Sequence, residues 1–267
     1  PCFQRGKMSC LSCHSMHGYH DKNDQLAPRM ETNNACLQCH DDLRENLTAH
    51  THHAANSAGS HCYNCHMPHT TYGLLNSIRS HQIDSPSVET QLKTGRPNAC
   101  NLCHLDRTLE WTSQRLAKWY GHRQPPLDND DKTISSTLKL LLKGDAGQRA
   151  IAAWHMGWKP ARNAGGGDWQ APWLLRAMDD PYAAVRYIAH KALMADLEFA
   201  DTPFDYTASS DKRTGQVVNA LGQWRERQEH GQAVRPELLL DATGQPLDNA
   251  ADKLARQRDN RPMTLQE

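Results

Sequence analysis

A five-residue phrase recurs four times in the first 104 residues: Cys10-Leu-Ser-Cys13-His14, Cys36-Leu-Gln-Cys39-His40, Cys62-Tyr-Asn-Cys65-His66 and Cys100-Asn-Leu-Cys103-His104. Each reads C-x-x-C-H, the attachment phrase for c-type haem. Two thiols three positions apart can add to the two vinyl groups on one edge of a porphyrin, and the next residue then lies under the ring with an imidazole nitrogen facing iron. A zinc framework would join C-x-x-C pairs in fours without a histidine after every second cysteine. A redox dithiol would occur once, at the start of a helix. Neither predicts His14, His40, His66 and His104, so four covalent c-type haems with their irons are the expected cofactors. Eight of the nine cysteines are consumed by the phrases, and Cys2 is left over as a free thiol.

The phrases begin at 10, 36, 62 and 100, so each of the first three haems has only about 26 residues. A segment that short, with one phenylalanine and no tryptophan before Trp111, cannot build an ordinary interior. Haem has to supply the apolar mass. The expected fold class is therefore mainly α, a loop-rich tetrahaem domain wrapped round stacked haems with little or no sheet, followed by a helical domain. Short helices are expected over 42–55 and 71–80. All seven tryptophans lie beyond residue 110, and twelve of the sixteen histidines lie before it. That break predicts a haem domain at 1–110, a helical repeat domain at 111–234 and a C-terminal arm or helix at 235–267.

Each iron has a sixth position to fill. Besides the four proximal histidines, the first 104 residues hold His17, His20, His50, His52, His53, His61, His69 and His81. Such an excess predicts bis-histidine ligation. His17 follows a proximal histidine by three, and His50 and His53 would share a face if the chain there is helical. His81 is expected at the exit of the 71–80 helix. These four are the distal candidates, with His52 and His69 as rivals. His20 and His61 are expected to be exposed or structural, as are His122, His155, His190 and His230. A methionine ligand would raise the potential, but Met16 and Met67 sit so close to proximal histidines that packing roles are expected for them.

Beyond residue 105 the apolar spacing turns helical. Leu109, Leu116 and Trp119 mark a helix over 105–120, and Gln124-Pro-Pro-Leu-Asp-Asn-Asp-Asp reads as a linker. Further helices are expected over 132–143, 146–157, 168–178, 181–195 and 211–229, with Gly165-Gly166-Gly167 as a connector. Arg149-Ala-Ile-Ala152 and Arg186-Tyr-Ile-Ala189 repeat at an offset of 37 residues, each after an aspartate-containing turn, which predicts a small helical solenoid. Pro181 is expected at the first helical position of the second copy. Residues 238–247 read as a small hairpin or extended arm, and 249–261 as a final helix.

Four stretches together carry a resemblance: Met8-Ser-Cys-Leu-Ser-Cys-His-Ser-Met-His17, the run from His50 to Pro68, Arg79-Ser-His81, and Gly95-Arg-Pro-Asn-Ala-Cys-Asn-Leu-Cys-His104. Over about residues 8–120 the chain resembles a group of bacterial multihaem c-type cytochromes whose haem domain is followed by HEAT-like or tetratricopeptide-like repeats. The resemblance implies distal roles for His17, His81 and histidines of the 50–53 cluster, and it disfavours His69. Asp180-Pro-Tyr-Ala-Ala-Val-Arg186 looks like the start of the second helix of a HEAT repeat.

The functional expectation is an electron carrier or relay. With imidazole on both faces of every iron, no coordination site is open to a substrate, and outer-sphere transfer is what remains. An enzyme acting on nitrogen or sulfur compounds would need one five-coordinate haem. A conducting filament of haem-rich subunits would share the carrier's chemistry. Thirty basic against thirty acidic residues give no case for nucleic acid, and no apolar run reaches the roughly 18 residues needed to span a bilayer. The expected partners are redox proteins or neighbouring cytochrome subunits, with a homo-oligomer or filament among the options. Haem thioethers form outside the cytoplasmic membrane, so the expected location is the periplasm or cell surface. No leader opens the sequence, so a mature or trimmed form is expected.

Overall fold

The computed structural model describes residues 8–17, 25–195, 199–227 and 235–264, so Cys2, His20 and His230 lie outside the described residues. The chain is mainly helical and divides into two compact units. One is made of Pro1–Pro68 and Arg79–Pro86, the other of His69–Ile78 and Ser87–Glu267. This division does not follow the composition break near residue 110. The fourth phrase and the stretch from 235 onward both belong to the second unit.

The first unit is built of short pieces: α1 (Asn34–Leu37), α2 (Leu47–Thr51) and α3 (Cys62–His66), with 3-10 turns at Cys10–Ser12, Asp41–Leu43 and Ala58–Ser60. Its described buried apolar side chains are Leu37 and Pro68, and both hydrophobic clusters are made of second-unit residues. The continuous helix expected over 42–55 is absent. A 3-10 turn and α2 stand there instead, and His52, at φ 57°, closes α2 in the left-handed region. A helix with no apolar face to bury gains little from tertiary packing and is marginal at that length. His50 therefore lies inside α2 and His53 beyond its end, so the two do not share a helical face.

The helix expected over 71–80 is a hairpin, β1 (Thr71–Gly73) against β2 (Asn76–Ile78), in antiparallel register with Thr71 opposite Ile78 and Gly73 opposite Asn76. Leu74 and Leu75, both at φ 53°, make the two-residue turn. That is the backbone twist a tight hairpin prefers, adopted without the usual glycine. Tyr72 packs on the main core of the second unit, and the Trp154 indole N–H donates to Asn76 Oδ1. Tertiary packing decides this segment. His81 accordingly follows a strand rather than a helix.

The second unit runs through α4 (Val88–Thr94), α5 (Leu109–Tyr120), α6 (Asn129–Thr133), α7 (Ser136–Lys143), α8 (Ala146–Gly157), α9 (Lys159–Gly165), α10 (Ala171–Ala177), α11 (Ala183–Leu193), α12 (Ser210–Arg227) and α13 (Asp248–Ala255). Helices α4 to α8 start on Ser87, Thr108, Asp128, Ser135 and Asp145, each side chain accepting from a first-turn N–H. These are the residue types that satisfy otherwise unpaired amide groups there. The helix expected over 132–143 is interrupted at Ser135. Its hydroxyl donates to the Leu105 carbonyl at 2.5 Å and its amide to the Glu237 carbonyl at 2.7 Å. The anticipated glycine connector is partly helical, because α9 extends to Gly165, and Gly166 at φ 78° ends it. Gly165 passes so close to the chain after the fourth phrase that an added Cβ would stand 3.1 Å from the Leu105 amide nitrogen.

Copies at the 37-residue offset lie on α8 and α11, which pack on each other. Arg149 is fully buried and grips both Asp180 oxygens, at 2.7 and 3.0 Å, while donating to the Gly144 carbonyl five residues back. Arg186 likewise donates to the carbonyl five residues back, Pro181, and to that of Asp180. Pro181 is not the first helical residue. It lies in the turn, with Tyr182 at the N-cap of α11 and Asp180 Oδ1 accepting from the Tyr182 amide. The stretch from 235 is no free arm: Leu238, Leu239 and Leu240 are buried in the main core, Leu240 bridges Pro246 around a turn at Gly244, and α13 buries Ala251 and Leu254.

Replacing Asp180 by alanine strands the fully buried Arg149 guanidinium, and breaking a buried pair from one side costs about 3–5 kcal/mol. Thermal unfolding followed by helical circular dichroism is expected to show a clearly lowered transition. An unchanged transition would contradict the role given to this ion pair.

Candidate functional site

In the first unit the phrases are folded as single helical turns, which is what brings three-apart thiols to one side. His14 N–H donates to the Cys10 carbonyl at 2.9 Å and His40 N–H to the Cys36 carbonyl at 3.0 Å. The third phrase is α3 itself. Asn33 ties two phrases together: its Nδ2 donates to the Ser60 carbonyl at 2.7 Å, and its Oδ1 accepts from the Cys62 amide at 2.9 Å. As free thiols, Cys36 and Cys62 adjoin closely enough to hydrogen-bond, which draws the Cys62 thiol down to about 7, while burial pushes Cys65 up to about 11. The Cys13 thiol is also raised by burial.

Two of the phrase histidines lie beside a second imidazole. The His14 and His81 ring centres are 6.1 Å apart with planes 27° from parallel, and those of His66 and His50 are 6.1 Å apart at 15°. Two metal–nitrogen bonds of about 2 Å, plus about 1.1 Å from each nitrogen to its ring centre, predict about 6.2 Å across one metal. The spacing fits one iron between each pair of rings. His66 Nδ1 lies 2.9 Å from the Asp84 carbonyl and His14 Nδ1 3.3 Å from that of Gln25. Since a carbonyl can only accept, Nδ1 carries the proton and Nε2 is left to bind metal, the outer-shell arrangement expected of a ligating histidine. Arg79 holds the returning segment to α3, donating to the Tyr63 and Met67 carbonyls and to Asn64 Oδ1 at 2.8 Å.

The remaining distal candidates stand differently. His53 Nδ1 meets the Thr51 carbonyl at 2.6 Å, which also leaves Nε2 as the acceptor, and its ring covers Gly59, where a Cβ would come within 2.2 Å. His17 is exposed, and no described ring pairs with His17 or His40. His52 is the exposed left-handed residue that ends α2. Of the rivals, His69 belongs to the second unit, where Trp154, Trp158 and His155 surround its ring. His155 and His190 each spend Nε2 on a carbonyl, of His69 and Thr202 respectively, the opposite of the proximal pattern. His61 meets the Tyr63 hydroxyl through Nδ1.

The fourth phrase sits in a prepared frame within the second unit. Asn98 Oδ1 accepts from the Cys100 amide, and the Asn98 amide donates to Gln91 Oε1. Asn101 Nδ2 donates to the Arg107 carbonyl, its Oδ1 accepts from Thr112, and its carbonyl accepts from Thr137 at 2.6 Å. Leu102 and Leu105 are buried on either side of Cys103 and His104. All eight phrase cysteines are of exposed or intermediate burial, as attachment to a large cofactor requires. Asn33-Asn34 reads in the sequence as a turn leading into the second phrase, but the two bonds Asn33 makes were not foreseen, and Asn101, Gln25 and Asp84 were not singled out. Carbonyl acceptors at 25 and 84 carry no signal, because any residue supplies a carbonyl.

Residues 3–45 match the family model described as a doubled CXXCH motif. No curated protein and no solved structure matches the chain. The matched stretch contains the first two phrases, and with them it indicates covalently bound c-type haem and its iron. No helix of the described residues is long and apolar enough to cross a membrane.

Asn33→Ala removes two half-buried hydrogen bonds joining the second and third phrases. At about 1 kcal/mol each, the expected loss is roughly 1–3 kcal/mol, read as a lower guanidinium midpoint of the Soret signal in the haem-loaded protein. No change in midpoint would show that the two phrases are held together by other means.

Proposed function

We propose that the chain is a tetrahaem c-type cytochrome that passes electrons through bis-histidine haems, an extracytoplasmic carrier or relay rather than an enzyme. One observation carries the reading: two proximal histidines each face a second imidazole at 6.1 Å, the span of a six-coordinate iron. The bound haem supplies a redox iron. The protein's part is placement and electrostatics. On this reading His14 with His81, and His66 with His50, hold their irons from both faces and leave no open position for a substrate. His40 and His104 are the proximal ligands of the other two, and His17 and His53 remain as distal candidates from the sequence. Asp84 and Gln25 orient the proximal rings through Nδ1.

Histidine on both sides keeps potentials low relative to histidine–methionine centres. The adjoining Cys36 and Cys62 sulfurs support close approach of the second and third porphyrins at their thioether edges, the shortest route between them. The paired helices around α8 and α11, with buried arginines at a 37-residue repeat, support a HEAT-like array. Its exposed surface is the proposed docking side for a redox partner or a neighbouring cytochrome subunit.

The oxidised protein is expected to carry four haems by mass and to show only low-spin iron. His50→Ala and His81→Ala are each expected to open one iron, giving a high-spin signal and carbon monoxide binding to one haem in four when reduced, whereas His69→Ala leaves the spectrum unchanged. A high-spin haem or carbon monoxide binding in the unaltered protein favours an enzyme and would sink the carrier reading.

A further inference from the structure

Helix α5 carries a ladder of alternating aromatic and cationic side chains beside the fourth phrase. The Trp111 ring centre lies 5.1 Å from that of His104, tilted by 52°. One turn on, the Arg115 guanidinium carbon stands 5.5 Å from the Trp111 ring centre and 6.0 Å from that of Trp119. Arg107 is also over Trp111, at 5.8 Å, but the Asp106 carboxylate lies 3.2 Å from it. Arg115 is half-buried, and no described carboxylate comes within ion-pair distance of it.

A cation over indole gains about 0.5–1 kcal/mol at an exposed site, enough to account for a surface ladder with no further purpose. Two features of the position argue for more. The Trp111 ring, 5.1 Å from that of His104, is close enough that a haem held by His104 would come within its reach. The second is that no described carboxylate pairs with Arg115. A planar guanidinium lying against two indoles is suited to bidentate capture of a carboxylate, and the carboxylates a haem brings are its propionates.

Resting on the four-haem reading above, we infer that Arg115, seated between Trp111 and Trp119, binds a propionate of the haem attached at Cys100 and Cys103, and that Trp111 walls the proximal face of that haem. Arg115 is a positioning residue. Its positive charge beside the porphyrin disfavours ferric relative to ferrous iron, so it raises the potential of this one haem and distinguishes it from the others.

The experiment is a spectroelectrochemical titration of the haem-loaded protein with mass determination. Arg115→Gln is expected to keep four haems and to lower one midpoint, by about tenfold in its reduction equilibrium or 59 mV for one electron, with the other three unmoved. Arg115→Lys, which keeps the charge, is expected to retain four haems and recover most of that midpoint. Arg107→Gln, whose charge is already answered by Asp106, moves it less. Four unmoved midpoints in the glutamine variant would overturn the inference while leaving the tetrahaem reading intact, and so would a lysine variant that lacks the fourth haem. Fewer than four haems in the unaltered protein would overturn the reading on which it rests.

Discussion

Two imidazole rings held nearly parallel with their centres 6.1 Å apart leave between them the space of one metal ion, and in the first unit this occurs twice. The unit has little else to hold it. Leu37 and Pro68 are its described buried apolar side chains, and its helices are four or five residues long, far below what is stable in isolation. Backbone and asparagine hydrogen bonds set the local geometry, but they contribute only about 1 kcal/mol each. The apolar surface that drives folding elsewhere has to come from a cofactor, with thioethers as the cross-links.

The second unit solves the same problem in the ordinary way. Trp169, Trp173 and Trp224 are buried with leucines and alanines from α7 to α13, and helix starts are capped by serine, threonine or aspartate. Its polar interior is concentrated at the turns before α8 and α11, where Arg149, Arg186 and Arg258 converge on Asp180. The fourth phrase is embedded in this rigid setting. Asn101 connects it to α5 and α7, so the attachment turn is formed by protein packing alone, in contrast to the loosely supported phrases of the first unit.

Chemistry was more legible in the sequence than geometry. C-x-x-C-H spacing is a local requirement, since thiols and imidazole must reach one porphyrin from one helical turn, and the structure folds the phrases as such turns. Helix periodicity over 105–120 and 146–157 was equally readable because a large core selects apolar residues at 3.6 spacing. Residues 42–55 and 71–80 misled for one reason: short polar or mixed segments have no periodicity strong enough to override their surroundings. In one, His52 breaks the helix and separates His50 from His53. In the other, Tyr72 and Asn76 find partners on the second unit, and a hairpin replaces the helix. The composition break near residue 110 marks where tryptophan begins, which is not where the compact units divide.

By itself the sequence determined the cofactor class, because covalent attachment depends on neighbours within five residues. Which imidazole stands beside which, and whether a histidine spends Nδ1 or Nε2 on a carbonyl, depends on residues as far apart as His14 and His81. Only the tertiary structure decided those, since pairing across such distances is set by how the chain returns on itself rather than by any local pattern.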